Sequence, residues 1–270
     1  MEESNKPLAT YAFEGINAAG KSTVLKEIES WYQSRGYLPN INKIGGMGDS
    51  PRMNRLKKIL DHRERLRRKE QLTLKQERDF LKDRIFRLAI RQQVKNYERI
   101  LFDKERAISL LDRTPLMSYT YSSSVDSNNP YLTEILDEGL VLTRQLSLDK
   151  IFLFDIDPIT VYSRIVCRSL EDGESMEKQI SKLTGLIPAP DDIKKTVAER
   201  TLAMLDSGMN FQKKKFRIWD FMAYEEVERQ AKTYLDALQL ARERIGVQTV
   251  KIDASQSLDQ VVDSVKEYML

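Results

Sequence analysis

The octapeptide Gly15-Ile16-Asn17-Ala18-Ala19-Gly20-Lys21-Ser22 fits GxxxxGK[ST] at every fixed position, and it constrains this chain more than any other feature. An apolar run, Leu8 to Phe13, precedes it, and a helical pattern, Thr23 to Ile28, follows. Strand, glycine loop and helix start, in that order, make a cradle for phosphate. Gly15 and Gly20 let the backbone curl around an anion without a side-chain clash. The N–H groups of the loop, from Gly15 through Asn17, Ala18, Ala19 and Gly20 to Thr23, then face phosphate oxygens, as helix N-termini do. Lys21 supplies a mobile positive charge for the β- and γ-phosphates, and Ser22 offers a hydroxyl to Mg²⁺. A nucleoside triphosphate with magnesium is therefore the first expected ligand.

The rest of the chain alternates in the way such a loop requires. Strand candidates are Leu8–Phe13, Asn40–Ile44, Ala107–Asp112, Lys150–Asp155 and Gln248–Ile252, with helical patterns between them. Alternation of this kind predicts an α/β fold with a parallel sheet covered on both faces. Ile151-Phe152-Leu153-Phe154 is apolar on consecutive residues, as a doubly buried strand should be. Arg52 to Arg106 is long, charged and helical, with an apolar stripe through Leu81, Ile85 and Leu88. The basic run His62 to Lys69 has acidic residues interleaved and no aromatic, so it predicts a solvated helix face more than a nucleic-acid patch. Residues 170–219 break the alternation and predict a mobile, lid-like insert with short helices, inside a single domain covering 1–270. Within that insert, Lys213-Lys214-Lys215 reads equally as a lid contact to ATP or as a solvated loop.

Composition excludes several chemistries. A single histidine, His62, leaves no basis for zinc ligation or a Ser-His-Asp triad. One cysteine, Cys167, excludes an internal disulfide and suits a reducing cytosol. No apolar run approaches a membrane span, and the acidic, polar start Met1-Glu2-Glu3-Ser4 is not a secretory signal, so a cytoplasmic setting is expected. The net charge of +3 suits phosphorylated substrates without demanding nucleic acid.

A second constellation ends the third strand candidate: Leu110-Leu111-Asp112-Arg113. An Asp there can hold Mg²⁺ through water, and the adjacent Arg can reach an incoming phosphate. From this point the sequence resembles the thymidylate kinase-like nucleoside monophosphate kinases. Phe13-Glu14-Gly15 with Gly20-Lys21-Ser22-Thr23 looks like that family's opening motif. Ser50-Pro51, Leu56 to Leu60, and the stretch around Ala89, Arg91 and Gln93 follow in order. Asp112-Arg113 with Ser118 and Tyr121, Asp155-Ile156-Asp157-Pro158 with Arg164 and Arg168, and Ile252 to Gln256 complete the likeness.

The resemblance implies a P-loop kinase fold with strand order 2-3-1-4-5, a homodimer, and transfer of the ATP γ-phosphoryl group to a nucleoside monophosphate, dTMP first. It implies Lys21 and Ser22 on ATP and Mg²⁺, Asp112 on the metal's waters, and Arg91 and Arg113 on the acceptor's phosphate. Asn17, Phe86, Ser118 and Tyr121 would complete the acceptor pocket. Arg164 and Arg168 would approach from the lid side, where a positioned arginine is worth about 10³–10⁵ in rate. Asn17 stands where the family often has a carboxylate, Phe86 is one place from the expected stacking Phe, and Ser122 replaces a Gln. Two other readings stay open. A deoxynucleoside kinase shares the loop but needs a general base, and no carboxylate lies between Asn40 and Gly48. A regulatory ATP-binding module would use the loop and no small acceptor.

Overall fold

A computed structural model describes residues 8–43, 91, 107–171, 175–209, 211 and 223–269. Strands β1 (Ala9–Glu14), β2 (Leu38–Lys43), β3 (Ala107–Asp112), β4 (Lys150–Asp155) and β5 (Gln248–Asp253) form one sheet. Every neighbouring pair is parallel and the order is β2-β3-β1-β4-β5, the P-loop kinase arrangement that was expected. β2 starts earlier than the apolar pattern suggests because it runs through Pro39. It is an edge strand, where a residue without an N–H is tolerated.

Helices α1 (Lys21–Gln33), α2 (Met117–Val125), α3 (Leu132–Gln145) and α4 (Pro158–Ser169) cover the sheet, followed by α5 (Met176–Gly185), α6 (Asp191–Asp206), α7 (Tyr224–Ile245) and α8 (Leu258–Glu267). α4 starts sharply because Asp157 caps it, accepting from the Thr160 N–H at 2.9 Å, and Pro158 fits the first turn. The core lies around the central strands. Ile151, Phe152 and Phe154 are almost wholly buried, and the Phe13 ring sits 5.3 Å from Phe152 and 5.9 Å from Phe154. Each such side chain contributes about 1.5–3 kcal/mol by leaving water. β1 lies mid-sheet, where the strand order reverses, so the loop after it opens into the crevice at the carboxyl ends of the strands.

Residues 170–219 contain no strand among those described, and α6 is sixteen residues long. α6 packs on α4: the Ser163 hydroxyl donates to the Val197 carbonyl at 3.2 Å, and Arg200 ion-pairs with Asp157 at 3.0 Å. Ile180, Leu183, Ile187 and Val197 belong to the main hydrophobic core. Cys167 is buried in α4 with its thiol 3.9 Å from the Thr201 carbonyl, and burial pushes its pKa up to about 11. No helix among the described residues is long and apolar enough to cross a membrane. His62, the basic run to Lys69, Phe86, the helical stretch around Arg91, and Lys213–Lys215 lie outside the described residues.

Candidate active site

The phosphate loop is fixed first by backbone geometry. Gly15 has φ +137°, and a Cβ there would meet the Phe154 carbonyl oxygen at 2.7 Å. Only glycine fits so close to β4 in that conformation. Gly20, at φ +92°, opens α1, which has no side-chain cap. The first N–H groups of α1 are thus without a side-chain cap, as an anion site at a helix start requires. Ala18 adopts φ +63°, a left-handed turn at the tip of the loop.

Lys21 is buried, and its ammonium donates to the carbonyls of Gly15 and Ile16, both at 2.8 Å. Burial drives its pKa well down, Arg113 adds to the fall, and Asp112 and Glu14 oppose it. The Ser22 hydroxyl lies 3.5 Å from Asp112 Oδ2 and donates toward it. Asp112 reaches this point because β3 pairs with β1 in a register that sets it opposite Phe13. A hydroxyl and a carboxylate this close are hard oxygen donors of the kind Mg²⁺ takes while keeping most of its waters, so the residues fit that ion.

Arg113 ties the loop to the rest of the site. It is a non-glycine residue at φ +87°, and its N–H donates to the Phe13 carbonyl at 3.1 Å. Its guanidinium donates to the Gly15 carbonyl at 3.0 Å, to Asn17 Oδ1 at 2.8 Å and to the Tyr234 hydroxyl of α7. Burial works against its charge, but Tyr234, Glu14 and Asp112 outweigh it, and the net shift is upward. Tyr234 is itself buried, which pushes its phenol up to about 12. Beneath the guanidinium lies Glu14, with no exposed surface. Its Oε1 accepts from the Thr114 N–H at 2.5 Å and the Thr114 hydroxyl at 2.7 Å, and its Oε2 is 3.9 Å from Arg113 Nη1. Burial raises the Glu14 pKa, against Arg113, the Thr114 bonds and Lys21.

On the other flank of the loop, Arg164 and Arg168 of α4 line a cavity of about 310 Å³ with Gly20, Thr23, Phe211 and Gln256. The Arg164 guanidinium donates to the Ala254 carbonyl at 2.6 Å and lies near Gly20. Burial and then the neighbouring Arg168 lower the pKa of Arg164, and burial lowers that of Arg168.

The acceptor-side expectations fare differently. Arg91 does not join Arg113 through any contact among the described residues. Its Nε and Nη2 bind Glu138 Oε1 of α3 at 2.6 and 2.5 Å, and the side chain is half exposed. A carboxylate directly across from it meets the need of the guanidinium. Ser118 is buried, and its hydroxyl donates at 2.8 Å to the carbonyl of Pro115, just before α2. Tyr121 sits half-buried on the same helix. Glu14, Thr114 and Tyr234 were not foreseen as site residues. Glu14 carried a signal, a carboxylate ending an apolar strand beside the loop; Tyr234, on a helix more than a hundred residues from Arg113, carried none.

No family model and no curated protein matches the chain. Among solved structures, that of a deoxyadenosine kinase from M. mycoides with bound dATP is similar over 96% of this chain and 98% of that one, at 17% identity and a TM-score of 0.49.

Proposed function

We propose that this protein transfers the γ-phosphoryl group of ATP to a nucleoside monophosphate, with dTMP as the acceptor that the family resemblance implies. One observation carries the reading: Gly15's carbonyl accepts from both Lys21 and Arg113, so a donor-phosphate cation and an acceptor-side guanidinium meet on a single atom. Two cations brought together this way suit two polyanions held side by side.

In this reading the loop N–H groups and Lys21 bind the β- and γ-phosphates. Ser22 would hold Mg²⁺, with Asp112 on the ion's waters, and the ion would neutralise charge on the phosphate oxygens. Arg113, braced by Asn17 and Tyr234, aligns the acceptor's phosphate. An acceptor oxygen bonds the γ-phosphorus as the bond to ADP breaks. That oxygen is already ionised, so alignment and charge neutralisation suffice without a general base. Arg164 and Arg168 meet the charge developing on the transferred group from the lid flank. The proposal includes a single kinase domain with 170–219 as its lid or insert segment, and the resemblance adds a homodimer in the cytoplasm.

A second reading, a deoxynucleoside kinase, draws support from Arg91. Its pairing with Glu138 favours that reading, because a guanidinium already holding a carboxylate is less available to an acceptor phosphate. The test is ADP release from ATP and Mg²⁺ against each natural nucleoside and nucleoside monophosphate in turn. Release driven by a monophosphate, dTMP above all, is expected. Release driven only by a nucleoside selects the second reading. ATP binding without release in any mixture overturns both and leaves a regulatory nucleotide-binding module.

A further inference from the structure

The loop concentrates positive charge: the buried Lys21 ammonium and the partly buried Arg113 guanidinium both donate to the Gly15 carbonyl. Such charges are costly to bury without partners. Asp112 answers them on the side facing the crevice, where it also meets Ser22. Glu14 answers them from below, fully enclosed, at the last position of β1. Its carboxylate is asymmetric. Oε1 takes two bonds from Thr114, whereas Oε2 has no hydrogen-bond partner among the described residues and stands 3.9 Å from Arg113. The Arg113 guanidinium beside Oε2 and the two Thr114 donors on Oε1 favour the anion against its burial. A polar oxygen left this way costs stability unless its charge is needed.

We propose that Glu14 is a built-in counter-anion, a positioning residue that balances Lys21 and Arg113 from beneath the loop and thereby holds down the affinity for polyphosphate. Phosphates arriving from the crevice compete with Glu14 for the same two cations. The fold is thus stable without a ligand, and ADP is released more readily than the two cations alone would allow. This rests on the reading of the loop as a nucleotide site.

Glu14→Gln tests it. The amide oxygen can keep both Thr114 bonds while the charge is lost. With ADP and with inorganic tripolyphosphate as probes in calorimetry, Glu14→Gln should bind about tenfold tighter than the parent. Its melting temperature without ligand should be lower, and its rise on adding tripolyphosphate larger. A residue that only holds the fold together would weaken binding when replaced, never tighten it. Should Glu14→Gln fail to fold, Glu14→Gln combined with Arg113→Gln should restore folding, because one charge of each sign is then removed. Parent-like or weaker binding by a folded Glu14→Gln, or a double variant no more stable than the single, overturns the inference alone. Failure of the parent itself to bind ADP and tripolyphosphate overturns both the inference and the nucleotide-site reading.

Discussion

The two flanks of the phosphate loop are built by different means. The donor flank is local: Gly15, Ala18, Gly20, Lys21 and Ser22 are neighbours in sequence, and backbone conformation fixes them. The flank proposed for the acceptor is assembled across the chain. Arg113 follows β3, its phenol partner Tyr234 comes from α7, and its carboxylate support, Glu14, ends β1. A motif can specify the first kind of site almost completely. The second depends on register, on helix packing and on which carboxylate reaches an arginine, as in the pairing of Arg91 with Glu138.

That comparison can be broken at several points. The largest effect is expected from Gly15→Ala. Its Cβ would press on the Phe154 carbonyl oxygen at 2.7 Å, in a conformation side chains rarely adopt. Unfolding free energy should fall by about 3 kcal/mol or more in denaturant titration, and nucleotide binding should vanish with it. Survival of ATP binding in this variant would show that the donor flank is not held by backbone geometry.

Next comes Arg113→Ala, which should impair both flanks because Arg113 bonds the loop at Gly15 and Asn17. Turnover should drop about 10²-fold or more, and ATP affinity about tenfold, as charge-assisted bonds are removed. An unchanged ATP affinity would restrict Arg113 to the acceptor.

Tyr234→Phe gives a smaller effect with a pH signature. The folded protein holds the Tyr234 proton up to about 12, against 10.0 for an unperturbed phenol. A raised folded pKa contributes stability that is whole below pH 10 and is lost as pH rises through about 12. The stability gap between the parent and Tyr234→Phe should therefore be constant at neutral pH and narrow in that alkaline window. The smallest effect belongs to Arg91→Ala: a half-exposed ion pair contributes about 1 kcal/mol or less, and the turnover loss should fall well short of that from Arg113→Ala. Equal losses from the two variants would place Arg91 on the acceptor phosphate beside Arg113.

Legibility in the sequence divides along the same line. The sheet could be read because buried parallel strands are apolar on successive residues, as in Ile151 to Phe154. The loop could be read because its glycines answer to steric demands that nothing else meets. β2 begins ahead of its apolar pattern because Pro39 interrupts that pattern at a sheet edge. The acceptor flank resisted for a different reason. Whether Arg91 faces Arg113 or Glu138, and whether Ser118 faces a ligand or the Pro115 carbonyl ahead of its helix, is decided by side-chain directions that spacing does not encode. Tyr234 could not be connected to Arg113 before the packing of α7 was known.

The central claim is that two polyanions are joined at this loop, and the fate of the γ-phosphate tests it most directly. With γ-labelled ATP, Mg²⁺ and an equimolar mixture of dTMP and thymidine, the label should appear in the nucleoside diphosphate and disappear when Lys21 is replaced by Ala. Label that stays in ATP, or passes only to inorganic phosphate, would contradict the account.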